Sequence, residues 1–112
     1  LTGANQSTPL GTIATNTGTN VTVQPNVTVL SAVGDLVVAA CWMVNPAGGA
    51  MTIASNGGAT RYDVLVGDYE YLIIQSKVAT STSTAMNFTI TTYSGDTSSL
   101  SWGVIGVAVK GA

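Results

Sequence analysis

The chain has 112 residues, 46% of them hydrophobic, and only eight charges, three basic and five acidic, with no histidine. That length holds one domain of ordinary size, and three cations are too few to neutralise the phosphates on which nucleic-acid affinity depends. Without histidine, Ser-His-Asp and Cys-His nucleophiles are excluded, and the commonest metal ligand at neutral pH is missing.

Most soluble domains keep about a quarter of their residues charged, whereas here the share is 7% and residues 1–34 carry no charge at all. Such a surface meets water through Thr, Ser, Asn and backbone amides. It also repels its own copies weakly, so a homo-oligomer is expected. No apolar run reaches the ~18 to 20 residues of a spanning helix, so no membrane span is expected. Cys41 is the sole cysteine; no intrachain disulfide is possible, and its apolar surroundings predict a buried thiol. Leu1 in place of Met reads as a processed or excised start.

Residues 1–18, with Leu10 and Ile13 among small polar residues, read as an extended linker, as an arm that adds to a neighbour's sheet, or as an internal strand. Asn20 to Val23 and Asn26 to Leu30 alternate Val with Thr around the bend at Gln24-Pro25, the pattern of half-buried strands. Gly34-Asp35 then turns the chain into Leu36 to Val44, apolar at every position, which predicts a central strand covered on both faces.

Asn45-Pro46-Ala47-Gly48-Gly49 ends that strand, Met51 to Ala54 forms a short one, and Asn56-Gly57-Gly58 turns again. Thr60 to Val66 and Tyr69 to Val78 flank Gly67-Asp68 as a hairpin that holds five of the eight charges. Leu72, Ile74 and Val78 lie on one side of it, and Tyr69, Tyr71, Ile73 and Lys77 on the other. Met86, Phe88 and Ile90 alternate with Asn87, Thr89 and Thr91. Trp102 to Val109 closes the domain, with Gly103 and Gly106 leaving room for a bulge or a close neighbour. Seven to nine short strands and no helix signal predict an all-β fold over residues 19–112. The expected architecture is a two-layer antiparallel β-sandwich, immunoglobulin-like or jelly-roll.

Little in this chain can carry chemistry. Asp63, Asp68 and Glu70 contain the carboxylates for acid and base catalysis of glycoside hydrolysis, but they read as a turn residue and solvated strand positions. They also lack calcium-loop spacing. Lys77 and Lys110 have no partner identifiable for an intramolecular amide. No cofactor or metal is expected. Tyr62, Tyr69, Tyr71 and Tyr93 are the candidate ligand or interface residues, as exposed rings that stack on sugars or pack between subunits, whereas Trp42 and Phe88 read as core. Asn5, Asn20, Asn26 and Asn87 match the Asn-X-Ser/Thr glycosylation pattern, the last three in phase with outward threonines.

Four segments carry a family resemblance: "GDLVVAACW" at 34–42, "SKVATSTS" at 76–83, "NFTIT" at 87–91 and "SWGVIGVAVKG" at 101–111. In their order and spacing they resemble a β-sandwich module of bacteriophage structural proteins and secreted bacterial surface proteins, over roughly residues 19 to 111. The turn after the central strand departs from that family in having Gly49 where a Trp is usual. The resemblance implies a structural or host-surface role and brings no catalytic residue. The expectation is a non-enzymatic module on the outside of a virus particle, a capsid decoration or tail-associated protein acting with its own copies and other virion proteins. Two other roles fit the same residues: an extracellular filament subunit joined by donated N-terminal strands, with Leu10 and Ile13 in the donated arm, and a carbohydrate-binding or adhesion module that holds surface glycans on the tyrosines.

Overall fold

Runs of Val, Ile and Thr broken by Gly-, Asn- and Asp-containing turns fold here into strands joined by short connections. The computed structural model describes residues 7–20, 24–67, 69–94 and 99–111. Within them lie β1 (Ala14–Thr19), β2 (Asn26–Leu30), β3 (Leu36–Val44), β4 (Met51–Asn56), β5 (Ala59–Val66), β6 (Glu70–Val78), β7 (Ser83–Tyr93) and β8 (Ser101–Val109). The strand expected at Asn20 to Val23 falls largely outside the described residues. No helix among the described residues is long and apolar enough to cross a membrane.

The strands form two antiparallel sheets, one of five strands in the order β1-β8-β3-β6-β5 and one of three in the order β2-β7-β4. Strands from the two ends of the chain sit side by side, β1 on β8 and β2 on β7, and β3 and β6 continue the larger sheet inward. That wrapping is a jelly roll, since the immunoglobulin pattern puts its first two strands in one sheet. The connection at Asn56-Gly57-Gly58 does not close an in-sheet hairpin, because β5 leaves β4 and pairs with β6 in the other sheet. Gly67, with φ of +62°, makes the β5–β6 turn in the left-handed region where a Cβ is costly.

The core lies between the sheets. It takes Val37, Ala39, Cys41 and Met43 from β3, Ile73 from β6, and Trp102, Val104 and Ala108 from β8. Val27, Val29, Ile53, Met86 and Phe88 of the smaller sheet face them. Gly106 lets the layers meet, because a Cβ there would stand 2.7 Å from Val29 Cγ2 and 3.1 Å from Val27 Cγ1. No bulge interrupts the β3–β8 register, so the room left by this glycine serves a close neighbour.

One expectation is corrected at the centre of the sheet. β3 is central, but the sandwich covers only one of its faces: Val37, Ala39, Cys41 and Met43 are buried, whereas Trp42 is 49% exposed. Trp42 shares its phase with Leu36, Val38, Ala40 and Val44, on the side away from the smaller sheet, and so is not a core residue. Phe88 is, with no exposed surface.

Residues 10–19 run along the chain's own β8. Leu10 bridges to Val109, the Gly11 amide donates to the Ala108 carbonyl at 2.8 Å, and β1 pairs from Ala14 opposite Gly106 to Thr19 opposite Ser101. In this single chain the stretch read as an arm or linker therefore forms the edge of the larger sheet. Leu10 and Ile13 keep exposed side chains there.

Candidate functional site

The two outer faces of the sandwich differ in chemistry. The smaller sheet turns Asn26, Thr28, Thr52, Asn56, Asn87 and Thr91 outward, a solvated face of hydroxyls and amides. The larger sheet turns out a surface that is mainly aliphatic and aromatic over β8, β3, β6 and β5, with the threonines of β1 along one edge. Its rows follow from the register: Thr15, Ile105, Ala40, Ile74 and Tyr62 lie across the strands in one, and Thr17, Gly103, Trp42, Leu72 and Val64 in the next. Val38 and Val107 pair beyond Ala40 and Ile105. Burial of alternate residues fixes the direction in β3, β6 and β8, which send their other phase into the core, and β1 and β5 are placed by their register with these strands.

This face has relief. Trp42 and Ile105 stand 49% and 48% exposed, and their register partners are Gly103 and Ala40, so each large side chain sits beside a small one. Gly103 opens a depression of about 440 Å³ lined by Thr17, Trp42, Val44 and Ser101. A Cβ built on it would meet nothing nearer than Thr17 Cγ2 at 3.9 Å. Ala40 lines a second hollow, with Ile13, Val38, Ile105 and Val107 around it. The charges near the face lie toward its rim: Glu70 at the start of β6 opposite Val44, and Arg61 on the edge strand, whose Nε donates to Ser76 Oγ at 2.6 Å.

The four tyrosines do not form one platform. Tyr62 and Tyr69 are about half exposed, but Tyr71 is 7% exposed and faces the core. Burial, reinforced by the Asp63 carboxylate, pushes its phenol above the ordinary range. Tyr93 is half-buried and its hydroxyl donates to Asn45 Oδ1 at 3.1 Å. Asn45 is fully buried, and its Nδ2 donates to the Gly48 carbonyl at 2.8 Å, which ties the turn after β3 to the end of β7. Tyr71 is thus corrected from a candidate surface residue to a core residue, and Tyr93 belongs to a structural network.

Of the glycosylation candidates, Asn26 and Asn87 are exposed and directly opposed across β2 and β7. Asn20 is half-buried, adopts a φ of +74°, and its backbone amide donates to the Leu100 carbonyl. Asn5 lies outside the described residues.

Groups that could carry chemistry are engaged or inert. Burial pushes the Cys41 thiol up to about 12, far from a reactive thiolate. Asp35 is buried as a clamp: its Oδ2 accepts the Ala32 amide at 2.7 Å and its Oδ1 the Gly111 amide at 3.1 Å. Among the described residues no three acids or cysteines come together as a metal site, and Asp68 lies outside them.

The open face was missed by sequence reasoning. Its one signal was that Leu36 to Val44 is apolar in both phases, which a strand with one covered face does not need.

No family model matches this chain, and no curated protein sequence does. Among solved structures, it resembles a chain in the structure of the tripod (BppUct-A-L) from the baseplate of bacteriophage Tuc2009. The TM-score is 0.53 at 9% sequence identity, over 88% of this chain and 62% of that one. The likeness is one of fold.

Proposed function

We propose that this chain is a non-enzymatic structural module on the outside of a bacteriophage particle, a capsid decoration or tail-associated protein, and that it works by self-association and by contact with the shell. The observation that carries this reading is the uncovered aliphatic face of the larger sheet. Monomeric soluble proteins rarely expose contiguous apolar patches beyond a few hundred Å², and larger ones mark interaction sites. The solvated Thr and Asn face of the smaller sheet would remain in water while the apolar face is buried. The fold it shares with a chain of a phage baseplate tripod supports a place in the particle. A structural part also needs no more reactive chemistry than the chain offers.

Purified particles of the virus that encodes the chain provide the test. Peptides of this chain in the particle proteome, with antibody labelling on the particle exterior, are expected. Their absence from particles of full infectivity would refute the reading.

A second reading, a filament subunit assembled by strand donation, has the seat of β1 in its favour. A backbone ladder joins β1 to β8, and the same ladder could receive a strand from a neighbour. Deleting residues 1–18 separates the two. The filament reading requires complete loss of assembly, whereas association through the open face survives in part.

A further inference from the structure

We infer that a second copy of this chain covers the open face, packed about a two-fold axis that runs along the line between β3 and β8, with Trp42 of each copy seated over the partner's Gly103. The inference rests on the self-association reading above and assigns it a surface and a symmetry.

The argument is geometric. A two-fold axis in the plane of the interface, parallel to two neighbouring strands and midway between them, carries each residue of one strand over its own register partner on the other. For β3 and β8 those partners are Trp42 with Gly103, Ala40 with Ile105, and Val38 with Val107. Large therefore meets small twice in succession and medium meets medium once, and symmetry repeats each contact. A two-fold interface must be self-complementary in this way. No other strand pair of the larger sheet offers the pattern, since β3 against β6 sets Trp42 beside Leu72 and Ala40 beside Ile74. Aligned sheets pack with their strands within about 30° of each other, so the rows nearest the axis stay in contact.

Extent and charge agree. With strands about 4.8 Å apart and about 3.4 Å of rise per residue, the four strands that overlap about this axis have a planar footprint of roughly 600 Å². Two copies together bury about 1,200 Å², the lower bound of specific interfaces. The central rows carry no charge, so face-to-face packing strands no ion without a partner.

The purified 112-residue chain is measured by light scattering and sedimentation from about 1 to about 200 µM, since an interface at the lower bound of size is expected at the micromolar, weaker end of the range. The expected species is a dimer, twice the 11.3 kDa of the monomer. Gly103→Val puts a side chain into the hollow, where a Cβ meets nothing nearer than Thr17 Cγ2 at 3.9 Å, and should weaken association at least tenfold. Ile105→Lys, at an exposed position, should do the same by another route. Adding Trp42→Ala to Gly103→Val removes the knob that the new side chain obstructs, and should restore dimer above the level of Gly103→Val alone. A wild-type monomer or trimer across this range, dimerisation unchanged in Gly103→Val and Ile105→Lys, or no recovery in the double variant would overturn the proposal. A monomeric chain still found on particles would remove this inference alone. A dimer absent from particles would remove only the virion reading.

Discussion

Two glycines three positions apart on β8 should respond to the same substitution with opposite signs. At Gly106 an added Cβ would lie 2.7 Å from Val29 Cγ2, 3.1 Å from Val27 Cγ1 and 3.5 Å from Ala39 Cβ. Both valines are buried in the core, and β-branched side chains have little rotamer freedom with which to yield. Overpacking of this kind costs about 1 to 3 kcal/mol, and the stiffer unfolded chain of an alanine returns only about 0.4 to 1 kcal/mol. Gly106→Ala should therefore lose about 1 to 2 kcal/mol of stability. At Gly103 the nearest atom to the new Cβ is Thr17 Cγ2 at 3.9 Å, so only the unfolded-chain effect operates. Gly103→Ala should be neutral or stabilised by up to about 1 kcal/mol. Urea unfolding followed by tryptophan fluorescence at sub-micromolar protein isolates these effects from association. A Gly106→Ala variant as stable as wild type, or a Gly103→Ala variant equally damaged, would refute the assignment of inner and outer faces.

Phe88→Ala empties a fully buried site and should cost about 3 to 5 kcal/mol, read as a lower urea midpoint; a loss below about 1 kcal/mol would contradict its place in the core. Asp35→Ala removes the acceptor of the Ala32 and Gly111 amides; both residues are exposed, so water takes its place in part, and the loss should be about 1 to 3 kcal/mol in all. Solvent exchange should accelerate at those two amides and not at β4, which denaturant titration with hydrogen exchange would check. The Cys41 thiol rises from 9.0 when exposed to about 12 when buried, so the folded state holds its proton longer than the unfolded one. Its stabilising contribution is complete below pH 9 and declines by about 1.4 kcal/mol per unit as pH climbs from there toward 12. Cys41→Ala should flatten that alkaline decline in a series of urea midpoints, and an unchanged slope would show that the thiol is not its source.

How much of this was legible in the sequence depends on which forces set each feature. Local signals gave the strands and turns: Gly67 at the β5–β6 turn, Pro25 before β2, and the Met86, Phe88, Ile90 alternation of β7 all lie where the residue pattern puts them. Among strand partners the β5–β6 hairpin was legible from its own turn, whereas β1–β8 and β2–β7 were not, because they join residues from opposite ends of the chain through backbone hydrogen bonds that no side chain specifies. β3 misled for a related reason. Alternation reports direction only when the two phases differ, and Leu36 to Val44 is apolar in both. Tyr71 shares the phase of Ile73, and both are buried, so alternation rather than the polar hydroxyl is the signal that places it. The pairing of Trp42 with Gly103 required the β3–β8 register, which only the folded chain supplies.

The placement of the few charges favours the proposed packing through the larger sheet over an edge-on one. Sheets that must avoid one another usually carry charge on their edge strands, and here the β5 edge holds Arg61 and Asp63, both exposed. A neighbour approaching edge-on at β5 would have to desolvate them. At the opposite edge, β1 presents Thr15, Asn16 and Thr17, and strand addition there gains backbone hydrogen bonds whose net value against water is small. The broad face between these edges holds Ile105, Ala40, Trp42 and Leu72, with no charge in its central rows. Hydrophobic association scales with the apolar area removed from water, so this face gains most from a partner and has least to desolvate. Scarcity of charge in the whole chain is thus more than a solubility property: the larger sheet keeps one guarded edge and leaves its face unguarded.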